Sequence, residues 1–190
     1  MNVTKSLPGM RYTILMMISA ALLLILQSCS KLAFPSHSGS AHIIHPSSLN
    51  GIYSNRSSDT SVPNNTLWAI FRRKAGEYQF KPDFNQSNLS VRLTATGKKE
   101  ISAQLYQGSA LIDERRLKGR IEDSSSFRLK QRSHNPGVPF IYMKLSHYGV
   151  RLRKNENGRL LVDVVDSHGK MIFILAGGQT DDYSFSYLQQ

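Results

Sequence analysis

One cysteine, Cys29, serves a chain of 190 residues. With none after it, a disulfide-stapled miniature fold and a thiolate-held structural metal are excluded, and a folded body must be held by its apolar core. Acidic residues are scarce too, 13 against 24 Lys and Arg. There is no Gly-x-Ser-x-Gly, no His-Glu-x-x-His, no glycine-rich phosphate loop after a strand and no thiol placed as a nucleophile. Those gaps argue against the common hydrolase, zinc-protease and nucleotide-binding classes. The acid–base sets that remain are His147 or His168 with Asp163 or Asp166. Both histidines fall at expected turns, where His is common as a polar loop residue, so the reading is non-catalytic, with no cofactor.

A bilayer-crossing helix is missing as well. The longest apolar stretch, residues 13–26 inside RYTILMMISAALLLILQSC, is shorter than the ~20 residues that a crossing needs. Lys5 and Arg11 precede it, and Leu26-Gln27-Ser28-Cys29 follows it. A basic start, a short apolar middle and a small residue at the end make a removable export signal, cut between Ser28 and Cys29. This ending resembles the lipobox of bacterial lipoproteins, in which Leu and two smaller residues precede an invariant Cys; Gln27 departs from that pattern. The resemblance implies that residues 1–28 are removed and that Cys29 is lipidated, becoming the acylated anchor of the mature protein. In that family an Asp after the Cys retains the protein at the inner membrane. Ser30 stands there instead, which implies the outer membrane, with the body facing the periplasm or the surface.

Lys5 and Arg11 are the only charges before Cys29, so the remainder carries 22 basic and 13 acidic residues, a net +9. That charge favours anionic neighbours such as lipid headgroups or acidic glycans. The export signal sets nucleic acid aside as a partner. Residues 29–48 are rich in Ser, His and Pro without a period of 2 or 3.6, and read as a tether behind the anchor. His37, His42 and His45 lie on it, but a tether does not hold ligands in fixed geometry, so no metal is expected.

The body is expected over residues 49–190. Asn65 or Thr66 can cap a short helix that turns Leu67, Ile70 and Phe71 to the core. Beyond it the period becomes 2: Val91, Leu93, Ala95; Ile101, Ala103, Leu105; Phe127, Leu129; Ile141, Met143, Leu145; Val150, Leu152; then residues 160–165 and 171–176. Such alternation marks half-buried antiparallel strands. Turn residues punctuate them at Gly97, Gly108, 123–125, 135–137, Tyr148-Gly149, Asn157-Gly158 and His168-Gly169. Residues 177–182 read as a loop before a last strand in which Tyr183, Phe185 and Tyr187 share a face. The expectation is an all-β antiparallel meander of eight to ten strands closed into an up-and-down barrel, which removes the open edges; a β-sandwich is the alternative.

Gly51-Ile52-Tyr53 resembles the Gly-x-Trp that opens the first strand of lipocalins and related calycin barrels, with Tyr53 in place of Trp. The resemblance implies an aromatic plug at the closed end of the barrel, Tyr53 with Trp68 as candidates. It also implies an interior able to take a small apolar ligand, lined by inward residues of the Val91, Ile101, Phe127, Val150 and Phe173 strands. Outside, Arg128, Lys130 and Arg132 at i, i+2 and i+4 are expected to share one strand face, and Arg151 and Arg153 another. These five are the candidate anion-contact surface. The functional expectation is a non-catalytic, lipid-anchored envelope protein that binds a small apolar ligand. The alternative is a structural or partner-binding module of an envelope complex that uses its basic or aromatic surface.

Overall fold

The computed structural model describes residues 16, 34, 45–58, 66–77, 88–122, 126–138, 141–173 and 175–190. The export signal, Ser28 and Cys29 lie outside them. One compact unit runs from Phe34 to Gln190, so Phe34 and Pro46, assigned to the tether from sequence, belong with the body. A 3-10 turn, Pro46–Leu49, buries Pro46 and Leu49 just before the first strand.

Among the described residues, ten strands and one α-helix follow. The strands are β1 (Gly51–Ser54), β2 (Leu89–Gly97), β3 (Glu100–Gln107), β4 (Ala110–Glu122), β5 (Ser126–Leu129), β6 (Arg132–His134), β7 (Gly137–Val138), β8 (Tyr142–Lys154), β9 (Leu160–Ile172) and β10 (Leu175–Tyr187). The helix α1 (Leu67–Arg72) lies between β1 and β2 in sequence. All strand pairs are antiparallel and belong to one sheet, in the order β1-β2-β3-β4-β5-β8-β9-β10, with β6 and β7 also paired to β8. A single sheet replaces the two stacked ones of the sandwich alternative. In effect β5, β6 and β7 are one interrupted strand laid along an edge of β8.

The ladder is not closed by a regular strand pair between β1 and β10. The two ends are nonetheless linked. Tyr53 bridges Gln189, the Ser54 amide donates to the Leu188 carbonyl at 2.9 Å, and the Gln190 amide donates to the Ile52 carbonyl at 2.9 Å.

Alternation placed the cores of most strands correctly. Val91, Leu93, Ile101, Ala103, Leu105, Phe127, Leu129, Val150, Leu152, Val162, Val164, Phe185 and Tyr187 join one buried cluster. Thr66 caps α1, its Oγ1 accepting from the Ala69 amide at 3.2 Å. The helix is unusual in that Leu67, Trp68, Ala69, Ile70 and Phe71 are all buried. Five buried apolar residues in a row make it an element packed into the core, with Arg72 at its exposed end. It packs on the same core that β2, β3, β8 and β9 contribute.

Three expectations fail. The dipeptides Tyr148-Gly149 and His168-Gly169 are not turns, because β8 and β9 run straight through them in continuous register. Residues 177–182 are not a loop but part of β10. The apolar run 171–176 is not one strand: β9 ends at Ile172, Phe173 takes a positive φ of 53° in the turn, and β10 starts at Leu175. Phe173 therefore lines no interior; it is 64% exposed. Glycine explains the long strands. A Cβ on Gly178 would meet the His168 carbonyl oxygen at 2.8 Å and the Gly169 Cα at 3.1 Å, so this glycine pair serves close approach between β9 and β10.

Candidate functional site

The five basic residues expected on the outside do not form a free cationic face. Arg128 and Arg151 are register partners, and Arg151 in turn faces Asp163 of β9. Arg153 grips Asp163 with two nitrogens, Nε to Oδ2 and Nη2 to Oδ1, both at 2.8 Å. Arg151 Nε adds a third bond at 2.9 Å, and the Ser184 hydroxyl of β10 a fourth at 2.6 Å. Arg153 is 4% exposed and Asp163 fully buried. Burial alone would raise the pKa of Asp163; the bonds from Arg153 and Ser184 and the charges of both arginines outweigh it and hold the carboxyl below its usual range. Arg128 pairs with Glu122 at 2.9 Å, and the Phe34 ring lies under both Arg128 and Arg151, 4.8 and 4.9 Å from their guanidinium carbons. The outer network is thus largely neutralised and covered.

Arg132 is not on that face at all. Continuing the β5 register would set it opposite His147, but it pairs with Tyr148. Two residues between β5 and β6, Lys130 and Gln131, absorb a one-residue slip, and a slip of one sends every following side chain to the other face. Lys130 itself is exposed. Arg132 instead points to the C-terminal end of α1, donating to the Phe71 carbonyl at 2.9 Å and to the Arg73 carbonyl. Burial lowers its pKa from arginine's ordinary value, with the nearby Arg115 adding to the effect.

The inner face beneath that helix end is polar. Arg73 forms a buried ion pair with Asp166 of β9, and its guanidinium lies 5.0 Å from the Tyr148 ring centre. The Tyr148 hydroxyl donates to the Ile70 carbonyl at 3.2 Å, and burial drives its pKa well above the ordinary phenol value. These cations and donors meet the carbonyls that a helix leaves unsatisfied at its C-terminus. His168 Nε2 lies 2.9 Å from the second Asp166 oxygen. Ser146, fully buried beside this group, has an Oγ without a hydrogen-bond partner among the described residues.

Of the acid–base sets, only His168 and Asp166 come together. His147 instead meets the Ser133 hydroxyl at 3.0 Å and the Gln131 amide at 3.3 Å. Asp163 is taken up by arginines. Among the described residues no group of three or more His, Cys, Asp or Glu could hold a metal ion. Tyr53 and Trp68 are both fully buried. Tyr53 donates to the Leu49 carbonyl at 2.9 Å, and burial pushes its pKa up to about 12. It stands where β1 meets the Gln189 bridge, whereas Trp68 sits within the buried helix.

The feature that sequence reading missed is at the far end of the long strands. Val138, Ile141, Tyr142, Ile172, Phe173 and Leu175 are 44–76% exposed and cluster where β7, β8, β9 and β10 terminate. Behind them, Lys144 and Lys170 are directly opposed across the β8–β9 ladder. An open groove of ≈ 810 Å³ runs along this end, lined among others by His168, Lys170, Ile172, Leu175 and Gly178. The signal was present in sequence. Residues 138–143 and 171–176, VPFIYM and MIFILA, are apolar at every position, without the alternation that marks a strand with one solvent face.

Among the described residues no helix is long and apolar enough to cross a membrane, which leaves crossing by strands unaddressed. No protein-family model matches the chain, and neither a curated protein nor a solved structure is detectably similar to it.

Proposed function

We propose that this protein is a non-catalytic, lipid-anchored module of the bacterial outer membrane, made of a closed β-barrel filled by its own helix and acting through its outer surface on a partner. The observation that carries the reading is α1. A carrier for a small apolar ligand needs an empty interior, and five consecutive buried residues of α1, Trp68 and Phe71 among them, support a filled one. Side chains of three strands, Arg132, Tyr148 and Asp166, tie down the end of the helix, which favours a fixed plug over a displaceable one.

Closure of the barrel is supported by the Tyr53–Gln189 bridge and the two hydrogen bonds that flank it. An anchor at Cys29 is supported by the lipobox-like ending of the export signal. With the Asp163 arginines engaged in ion pairs, the surface we assign to a partner is the apolar end of β8, β9 and β10, where six large apolar side chains are exposed together.

One experiment addresses both parts: native mass spectrometry of the protein purified from its own envelope. The expected species lacks residues 1–28, carries acyl chains on Cys29 and binds no further small molecule. A small molecule lost on denaturation would overturn the filled-barrel reading and restore the apolar-ligand one. An unacylated Cys29 would remove the anchor.

A further inference from the structure

The exposed end of the long strands has an ordered composition along its length. Asp166, buried and ion-paired, gives way to the opposed lysines 144 and 170, and then to Tyr142, Ile172, Phe173 and Leu175. Residues 136–145 and 168–179 contain two lysines and one histidine, His168, and no Asp or Glu. An all-apolar hairpin end in water invites edge-to-edge association. That cost vanishes if an anionic, apolar-backed surface covers this end.

We infer that the end formed by β7, β8, β9 and β10 inserts into the interface of an anionic lipid bilayer, with Phe173 and Leu175 among the acyl chains and Lys144 and Lys170 at the level of the phosphates. The spacing fits. Lys170 is two residues behind Ile172, and at ~3.3 Å per residue that sets the ammonium level roughly 7 Å behind the apolar end. Interfacial elements bury their apolar part about 5–10 Å into the headgroup boundary. Charge complementarity selects the occupant, since the groove beside the apolar end is lined by Lys170 and His168 and by no acid. The positive φ of Phe173 points the same way. A bulky residue rarely adopts it, and here it holds an aromatic ring at the outermost turn, 64% exposed.

The inference rests on the proposed outward-acting module, and its test separates the two. In the full chain with Cys29→Ser, a polarity-sensitive fluorophore is attached to Leu175→Cys, with Glu156→Cys, in the turn at the other end of β9, as control. Vesicles of phosphatidylcholine with and without phosphatidylglycerol are added. The expected result is a blue shift and an intensity gain at position 175 on anionic vesicles and none at position 156. High salt should weaken it. The insertion equilibrium should fall about five-fold for each of Lys144→Gln and Lys170→Gln. For Phe173→Asn, which tolerates the positive φ, it should fall on the order of ten- to a hundred-fold. No change at position 175 while the protein sediments with vesicles overturns the inference, because residues 1–28 then account for all binding. So does an equal response to zwitterionic vesicles in both lysine variants, or a response elicited by a soluble envelope protein and not by lipid. A silent fluorophore together with a ligand-free native mass leaves the filled-barrel reading standing. A responsive one together with a bound small molecule does the reverse.

Discussion

The two halves of β8 and β9 share one register but meet opposite environments. From Tyr148 to Leu152 and from Leu160 to Asp166, the paired strands bury Val150, Leu152, Val162 and Val164 against α1 and the facing strands. From Tyr142 to Lys144 and from Lys170 to Ile172, the same ladder continues with Tyr142, Lys170 and Ile172 exposed and Met143, Lys144 and Met171 half-buried. Backbone pairing therefore does not distinguish the halves; what stands on each face does. In the first half an apolar face is answered by an outer face of arginine and aspartate. In the second, Tyr142 and Ile172 share a face with the opposed Lys144 and Lys170, Met143 and Met171 take the other, and the large apolar side chains at the tip are exposed. The alternating half covers its apolar face with its own core, whereas the tip does not.

The sharpest way to break the contrast is to empty the buried half. Trp68→Ala is expected to cost about 3–5 kcal/mol, read from urea unfolding, because the surrounding sheet cannot collapse onto the space left in α1. A cost below ~1 kcal/mol would mean that the helix is not packed as described.

Next in size is Asp163→Asn, which leaves Arg151 and Arg153 without their shared counter-charge. For a buried ion cluster, loss of one partner costs about 3 kcal/mol, and Arg151's partial exposure places the effect at or below that figure. The pH dependence follows from the depressed pKa of this carboxyl. A group whose folded pKa is lowered contributes stability that is complete above its unfolded value, about 3.9, and is lost as pH falls through the folded one. Stability of the parent should therefore fall with acid from about pH 4 downward. The Asn variant, monitored by denaturant midpoints across that range, should show a shallower slope.

The smallest effect belongs to the exposed half. Leu175→Ser should change the unfolding free energy by less than ~0.5 kcal/mol, the usual cost of an uncovered surface position. A larger loss would show that the apolar end is already buried, in a dimer for instance, and would erase the distinction between the halves.

Much of the first half was legible in the sequence. The spacing of Val91 and Leu93, of Ile101, Ala103 and Leu105, and of Val150 and Leu152 located core strands, Thr66 announced α1, and Asn157-Gly158 marked a true turn, with Gly158 at a φ of +77°. The outer site was less so. Periodicity told which face Arg151 and Arg153 occupy, but not that Asp163 of the next strand stands opposite Arg151, since that is set by register across a hairpin. It also could not foresee the slip at Lys130 and Gln131 that carries Arg132 to the inner face. Gly149 and Gly169 misled for a physical reason, because glycine serves close strand approach as well as turns.

The link between Tyr53 and Gln189 has a consequence for how the protein reaches this form. The helix follows β1 in the chain, so it is made early, yet strands that share its core, β8, β9 and β10, come last. Until Leu188 and Gln190 have reached Ile52 and Ser54, the two ends of the sheet stay unjoined, and the five apolar residues of α1 wait for the late strands of their core. Assembly is thus a late, long-range event, of the kind that folds slowly because distant segments must meet before any gain is realised. Once joined, the first and last segments of the sheet hold each other through these few hydrogen bonds, so their parting is the expected early step of unfolding.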